Sequence, residues 1–313
     1  MKTGRWAPWA GFAAVALVLV GATVVSYYFS PAARQQRAQM DAVSGDSAAP
    51  PSLTRVGEAW IRPKDGAVMV AVPAGPFTMG ADIGAGLGYD DAKPAHKVYL
   101  DAYWIDKNDV TVAQYRKFCE ATGRQMPDAP DWGWQDDYPI VNVSWNDAKA
   151  YCDWAGAELP TEAEWEKAAR GTDARKYPWG SKWDSRKLWC SADTERSGPD
   201  PVGSFPAGAS PYGCLDMEGS VLQWCADWFD EDYYHDAPPR NPAGPARGYT
   251  RVLRGGTWDG FDGSFFLCAY RSDCVPAFPD YSFSGFRGAV RAGSPLHRQR
   301  ASPVHYGGRE RVR

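Results

Sequence analysis

The sequence predicts an α+β fold, a single compact domain with few regular elements and long ordered loops. Its 313 residues include 15 Trp, 32 Gly and 25 Pro, a composition typical of irregular, turn-rich structure rather than of a helical bundle. Three helix starts predict the helices, and several short apolar runs between turns predict the strands. The net charge of -4 leaves no basic footprint, so we expect no nucleic-acid partner.

A membrane anchor is predicted at the N-terminus. Residues 9–29 read WAGFAAVALVLVGATVVSYYF, contain no charged side chain and would span about 30 Å as a helix. Because Lys2 and Arg5 precede this segment, we expect residues 1–8 in the cytoplasm and the rest of the chain exported. The predicted location is the inner (cytoplasmic) membrane, as a single-pass protein whose domain faces the periplasm. A cleaved signal peptide is the alternative interpretation.

Two flanking segments have the composition of unfolded chain. Residues 30–59 are rich in Ala, Ser, Pro and Gln with few large apolar side chains, which predicts a flexible linker. Residues 294–313 are basic and lack apolar periodicity, which predicts a disordered tail. The folded domain is therefore expected over residues 60–293.

The sequence contains three clear helix starts. Thr111, Ser144 and Thr161 each stand at an N-cap position, with a polar or acidic side chain three residues later that can reach back. Gly123 and Gly156 are expected to end the first two helices. The helical period places apolar or small side chains on inward faces: Val112, Tyr115, Phe118 and Cys119, then Ala148, Tyr151, Cys152 and Ala155, then Trp165, Ala168 and Ala169.

Short apolar runs separated by Gly and Pro turns predict the strands. The clearest runs lie at residues 68–72, 97–105 and 251–253. Together with the three helices, these runs predict the α+β arrangement.

A series of motifs follows one another over residues 66–291: MVAVPAGPFTMG, KVYLDAYWIDKNDVTVAQYRKFC, PIVNVSWNDAKAYCDWAGAELPTEAEWEKAARG, YPWG, SPYGCLDMEGSVLQWCADWF, RVLRGGTW and SGFRGA. In kind and order they resemble the formylglycine-generating enzyme, or sulfatase-modifying factor, family. The resemblance implies one compact domain related to the C-type-lectin-like fold and stabilised by calcium. The family's enzymes are oxygen-dependent oxidoreductases that convert a sulfatase cysteine to formylglycine.

The resemblance also implies a pair of copper-binding cysteines, which this chain lacks. In the family, two thiolates closely following R-V-x-x-G-G-S-[WY] bind copper(I), a soft ion that suits sulfur ligands. Gly260 stands at the first position, and Gly263, Ser264 and Phe265 occupy the region of the second. Because Gly and Phe cannot ligate copper, we expect no copper and no formylglycine-generating activity of the usual kind. Leu222 likewise replaces a Trp that lines the family's pocket.

Cys268 and Cys274 leave a displaced-thiol site open as an alternative. Their spacing is close to that of a dithiol site, but Cys268 lies in C-A-Y-R, where the resemblance implies a structural cysteine. Two family bridges are each half missing, because Gly288 replaces the partner of Cys152 and Ala169 replaces the partner of Cys268. With seven cysteines, at most three bridges can form.

The resemblance implies one calcium ion, held by side chains at Asp216 and Gln223 and by backbone carbonyls at Gly219 and Val221. Asp and Gln oxygens are suitable ligands for this hard cation. Gln in place of the family's Glu removes a charge and is expected to weaken binding. An ordinary hydrogen-bonded loop is the alternative.

The remaining pocket residues are polar or aromatic, or glycine: Thr257, Trp258, Asp259, Gly260, Asp262, Arg271 and Arg287. Two Asp near two Arg beside an aromatic wall suit acid-base work or the binding of a polar ligand. In the alternative interpretation both arginines are internal supports that organise loops. The chain contains no G-x-S-x-G elbow, Walker loop or G-x-G-x-x-G turn.

Three functions are compatible with these features. We favour a membrane-anchored extracytoplasmic accessory or maturation factor, with oxidative chemistry as one form, that acts on an exported protein or metabolite. The resemblance includes such branches, among them a periplasmic enzyme that matures the pyoverdine chromophore. A non-catalytic binding or scaffold module on the same fold is the first alternative, and a formylglycine-generating oxidase with displaced thiols is the second. The sequence leaves open whether the chain is an enzyme.

Overall fold

The computed structural model describes most of the chain between residues 53 and 292: 53–56, 59–82, 90–191, 198–260, 262–278 and 282–292. All of them belong to one compact unit, Ser47–Arg313. Residues 1–8, the anchor predicted at 9–29, most of the linker predicted at 30–59 and the tail predicted at 294–313 lie outside the described residues. Among the described residues, no helix is long and apolar enough to cross a membrane.

The described elements are short and mixed, which confirms the α+β class and the compact domain. In chain order they are β1 Thr54–Val56, β2 Ala59–Arg62, β3 Ala67–Val72, β4 Gly75–Met79, β5 His96–Leu100, β6 Tyr103–Asp106, α1 Val112–Thr122, α2 Trp145–Ala155, α3 Glu162–Arg170, β7 Leu222–Trp228, α4 Tyr233–Asp236, β8 Arg251–Arg254, β9 Ser272–Cys274, β10 Ser284–Gly285 and β11 Ala289–Arg291.

The strands form two sheets and a hairpin. The first sheet has the order β1-β2-β3-β6-β11, and every neighbouring pair in it is antiparallel. The second has the order β10-β7-β8-β9, in which only β10 and β7 run parallel. Strands β4 and β5 pair separately as an antiparallel hairpin. The end of β8 in the second sheet leads directly into the segment predicted as the site.

The three predicted helices are confirmed, each with a complete capping box. The side chains of Thr111, Ser144 and Thr161 each accept a hydrogen bond from the backbone N–H three residues on, and the side chain there accepts one from the N-cap backbone. Gly123 and Gly156 end the first two helices in the left-handed conformation. These local signals were sufficient because each cap satisfies backbone groups within its own turn.

The strand predictions need two adjustments. Residues 97–105 do not form one run: a break at 101–102 separates β5, in the hairpin, from β6, in the first sheet. Regular structure also starts before residue 60, because β1 lies inside the segment predicted as linker and pairs with β2. Leu53, just ahead of β1, is buried in the core and accounts for the earlier start.

The core divides into two main clusters of buried side chains. The inward faces of α1 and α2 pack with Trp104, Trp224 and Phe286 in the first. The inward face of α3 packs with the β4–β5 hairpin in the second, around the fully buried ring of Trp165. Helix α3 therefore lies between the hairpin and the sheet that carries the site.

Polar contacts surround one position where the resemblance implied a bridge. The structure joins none of the seven cysteines, all within the described residues, in a disulfide. A Cβ added at Gly288 would lie 2.9 Å from Nη1 of Arg62, a buried side chain that pairs with Asp65 and Asp106. Burial raises the pKa of the nearby Cys152 thiol. An ion-pair cluster therefore stands where a cysteine partner for Cys152 would be.

Candidate functional site

The candidate site is built on the loop that follows β8, residues 255–260 and 262–266, which we call the site loop. Gly255 and Gly256 open it with φ values of 102° and 65°, which favour glycine. The loop is tied down by backbone hydrogen bonds from Trp258 N–H to Ser220 O (2.8 Å) and from Ser191 N–H to Gly260 O (3.0 Å). The site loop is thus held in one conformation by its neighbours.

Aromatic rings fill the space beside Gly260, which stands at the first implied cysteine position, and beside Gly263, one of the three residues in the region of the second. A Cβ at Gly260 would lie 2.6 Å from Cζ of Phe266, and one at Gly263 would lie 2.8 Å from the Trp183 ring. Phe266 is fully buried, and Trp183 stacks on it with ring centroids 5.4 Å apart. A thiol at residue 260 would therefore require Phe266 to move.

An aromatic wall stands on the other side of the site loop. Trp258 stacks on Phe283 at 5.3 Å between centroids and meets Trp132 edge-on at 5.7 Å. Trp132 itself packs directly over Gly198, where a Cβ would lie 2.7 Å from the ring. All three rings are half-buried, so each is partly accessible to a ligand.

The two carboxylates of the site loop are exposed and bonded locally. Asp259 accepts a hydrogen bond from the hydroxyl of Thr257. Asp262 caps the short 3-10 turn Gly263–Phe266, accepting from Ser264 N–H at 2.9 Å. Both remain reachable from solvent, so they can contribute acceptors or negative charge to a bound molecule.

Arg271 does not face the site loop. Its guanidinium is buried and donates to both carboxylate oxygens of Glu162, at 2.8 and 3.2 Å, and to the carbonyls of Asp91 and Asp230. Burial alone would raise the pKa of Glu162, but Arg271 and Arg254 together hold it below its ordinary value. The structure therefore uses Arg271 to join α3 to two loops.

Arg287 is likewise enclosed by protein groups. It donates to Gln223 Oε1 (2.6 Å), to Asp109 Oδ1 (3.0 Å) and to the carbonyls of Asp106, Lys107, Leu215 and Asp216. The side chain is fully buried. With its N–H groups directed to these acceptors, Arg287 is not positioned to hold a ligand at the site loop.

Helix α3 and β8 are connected by a buried network of charges. Arg254 donates to Glu162 (2.9 Å) and Glu166 (2.8 Å), and Arg170 donates to Glu166 at 2.7 Å. All four side chains are buried. The network fixes the end of β8, and with it the position at which the site loop begins.

The structure does not bring Cys268 and Cys274 together in one cluster. Cys268 belongs to the second core cluster, whereas Cys274 packs against the first. Burial raises the pKa of the Cys268 thiol well above its ordinary value, and the adjacent carboxyl of Glu218 raises it further. Because copper(I) is bound by thiolate, this thiol is poorly suited to ligate it.

The four positions implied for calcium do not all fit a metal. Asp216 Oδ2 accepts from Gly203 N–H at 2.7 Å, and its carboxylate lines a small polar cavity. Gly219 and Val221 lie in the following turn, but Gln223 Oε1 is already bonded to two N–H donors. Within the described residues, no cluster of three His, Cys, Asp or Glu side chains has the geometry to hold a metal ion.

The rings that fill the space at the site were not predictable from the sequence. Phe266 and Trp183 determine how much space remains at Gly260 and Gly263. The pair of aromatic residues in G-S-F-F was visible, but Trp183 comes from a distant part of the chain. Glu162, the buried partner of both Arg254 and Arg271, was missed because it stands in the first turn of a helix, where acidic residues are common.

The fold and the site loop define a sulfatase-modifying-factor-like domain. The family described as sulfatase-modifying factor enzyme 1-like domain matches residues 58–292, and the chain belongs to it.

The chain is similar to several known proteins, in sequence or in structure. The chain is 35% identical to the formylglycine-generating enzyme of Streptomyces coelicolor, over 63% of this chain and 80% of that enzyme. Its structure is similar to that of PvdO from Pseudomonas aeruginosa, with a TM-score of 0.66 and 27% identity over 76% of this chain and 99% of that one. Treponema denticola variable protein 1 is similar with a TM-score of 0.60 and 25% identity, over 76% and 98% of the two chains.

Proposed function

We propose that this protein is a membrane-anchored, extracytoplasmic accessory or maturation factor that acts on an exported protein or metabolite and does not generate formylglycine. The observation that carries the proposal is that aromatic rings fill the space beside two glycines of the site loop. The Phe266 ring occupies the space beside Gly260, and the Trp183 ring covers Gly263. A copper centre of the family's kind needs two thiolates, the first of them at residue 260.

The remaining groups of the site loop favour recognition of a substrate by stacking and hydrogen bonding. Trp132, Trp258 and Phe283 offer partly accessible aromatic faces. Asp259 and Asp262 add carboxylates on the exposed edge. Aromatic faces next to carboxylates suit planar or cationic groups, because both the ring quadrupole and the negative charge attract positive charge.

A non-catalytic binding module is the second candidate function. Its specific support is the exposure of Phe265 in the site loop and of Trp183 beside it, which are 41% and 36% accessible. Large exposed aromatic side chains are typical of interaction surfaces. In that case a partner would be held without being modified.

Formylglycine formation is tested with the full-length protein in detergent, supplied with copper(I) and oxygen. The substrate is a peptide carrying the sulfatase motif C-x-P-x-R, and the aldehyde product is measured by mass spectrometry. We expect no aldehyde above a control without protein. Aldehyde formation that disappears in Cys268→Ser or Cys274→Ser would instead establish the displaced-thiol oxidase.

The accessory function is tested in a strain that lacks the protein. Extracytoplasmic proteins and metabolites from that strain are compared by mass spectrometry with those from strains restored with the native chain, Trp258→Ala or Trp154→Ala. Trp154 packs on Phe118 and Tyr151, away from the site loop, and is the matched control. We expect an unmodified precursor in the deletion strain and in Trp258→Ala only. An identical profile in all strains would exclude a maturation role and favour the binding module.

The anchored location is tested separately. We expect the full-length protein in the membrane fraction after a carbonate wash, with residue 1 or 2 as its N-terminus. A soluble protein that begins near Arg34 would show that the segment 9–29 is a cleaved signal peptide.

A further inference from the structure

Gln223 stands where the resemblance places a glutamate ligand of calcium, and its amide is oriented by two neighbours. The oxygen Oε1 accepts from the indole Nε1 of Trp165 at 2.6 Å and from Nε of Arg287 at 2.6 Å. The indole N–H and the guanidinium can only donate hydrogen bonds. An amide turned the other way would direct its NH₂ group at two further donors, so the oxygen has to face Trp165 and Arg287.

The nitrogen of this amide therefore faces Asp216. Nε2 of Gln223 donates to the carbonyl oxygen of Asp216 at 2.7 Å. The Gln223 side chain is fully buried, so it has no solvent in which to rearrange. A glutamate at this position would present a second oxygen there, which a calcium ion can bind, whereas an NH₂ group presents protons.

Arg287 donates to the same Asp216 carbonyl and to its neighbours. Nη2 of Arg287 donates to the carbonyls of Leu215 (2.9 Å) and Asp216 (3.0 Å) and to the carboxylate of Asp109 (3.0 Å). Calcium binds only through oxygen ligands, six to eight of them as a rule. With the Gln223 oxygen occupied and the Asp216 carbonyl bonded to two donors, this part of the chain is closed without an ion.

We propose that Gln223 excludes calcium from this position in this protein, because Trp165 and Arg287 occupy its amide oxygen and its NH₂ group cannot bind a cation. The inference is independent of the proposed function. It predicts that one change, Gln223→Glu, converts a metal-independent site into a calcium-dependent one, because the carboxylate would keep its bonds to Trp165 and Arg287 and turn an oxygen toward Asp216.

The test compares the melting temperature of the full-length protein in detergent with chelator and with excess calcium, for the native chain, Asp216→Gly, Gln223→Glu and the double variant. Gly tolerates the positive φ of 55° at residue 216 and removes the side-chain oxygens, whereas Asn would keep an oxygen that calcium can bind. Only a calcium response that Asp216→Gly removes is assigned to this site. Calcium binding is measured in parallel by isothermal titration calorimetry.

We expect the native chain to show no such response. Gln223→Glu should melt at a lower temperature in chelator and regain about 5–10 °C when calcium is present at about 100-fold over its Kd. The double variant should lose that gain. Two results would overturn the proposal: calcium binding by the native chain that Asp216→Gly abolishes, or a melting temperature of Gln223→Glu that is the same with and without calcium.

Discussion

Helix α3 and the site loop meet at the same end of strand β8, but their charged side chains lie in different environments. In α3, Glu162, Glu166 and Arg170 are buried and joined in ion pairs that reach across the domain. In the site loop, the carboxylates of Asp259 and Asp262 are exposed and accept hydrogen bonds from Thr257 and Ser264 of the loop itself. In this chain a buried network of charges supports the fold, whereas the site loop has aromatic rings beside the position where the resemblance implies a thiol.

The largest expected effect comes from removing a charge in the α3 network. Arg254→Met leaves the carboxylates of Glu162 and Glu166 buried with fewer partners, and we expect the free energy of unfolding to fall by about 3–5 kcal/mol. The measurement is chemical denaturation of the purified protein. Arg186→Met is the matched control, because Arg186 pairs with Asp184 at the surface and its loss should change stability little. Equal losses of stability in the two variants would show that the buried network supports the fold no more than a surface ion pair does.

A buried acid beside the N-terminus of α3 provides a pH-dependent test. Burial, reinforced by Glu162, raises the pKa of Asp227 from 3.8 to about 8. The folded state therefore retains a proton that the unfolded state releases, so this group lowers stability as pH rises from about 4 to about 8. Asp227→Asn keeps an acceptor for the Glu162 N–H but cannot ionise.

We expect the advantage of Asp227→Asn over the native chain to grow by on the order of 2 kcal/mol between about pH 5 and about pH 7, since one pKa unit corresponds to about 1.4 kcal/mol. The measurement is the free energy of unfolding of both proteins across this pH range. Parallel curves for the two proteins would contradict the raised pKa.

A smaller effect is expected from restoring a thiol in the site loop. Gly260→Cys places a side chain against Phe266, and overpacking of this kind should cost about 1–3 kcal/mol of stability. Phe266→Leu shortens the opposing ring, so the double variant should lose less stability than the sum of the two single variants. Strict additivity in thermal or chemical unfolding would show that Phe266 does not occupy the space beside residue 260.

The smallest effect concerns the exposed acids of the site loop. Asp262→Ala removes the cap of the turn Gly263–Phe266 and should cost about 0.5–1 kcal/mol. Asp259→Ala removes only the hydrogen bond from the Thr257 hydroxyl, and we expect a smaller loss. Denaturation curves for the two variants show which of the two acids contributes more to stability. A larger loss for Asp259→Ala would reverse their assigned roles.

Features encoded within one turn of chain were predictable from the sequence. Thr111, Ser144 and Thr161 marked the helix starts because a cap and its partner are three residues apart. The start of the domain was placed too late because the burial of Leu53 depends on residues far along the chain.

The candidate site was predictable only in part, for the same reason. The missing thiols could be identified from Gly260 and its neighbours, but not the rings that occupy their space, since Trp183 and Phe266 meet only in the folded protein. Gln223 was recognised as a departure from Glu. The direction of its amide depends on Trp165 and Arg287, which come from other elements.

We propose that the site retains the family's framework without its copper-thiolate centre. A competitive copper(I) titration of the full-length protein against a chromogenic chelator, without oxygen and under reducing conditions, tests this proposal. The structure predicts no stoichiometric copper(I), because Cys268 is buried with a raised pKa and Cys274 lies against another part of the core. One equivalent of tightly bound copper(I) that is lost in Cys268→Ser or Cys274→Ser would contradict the proposal.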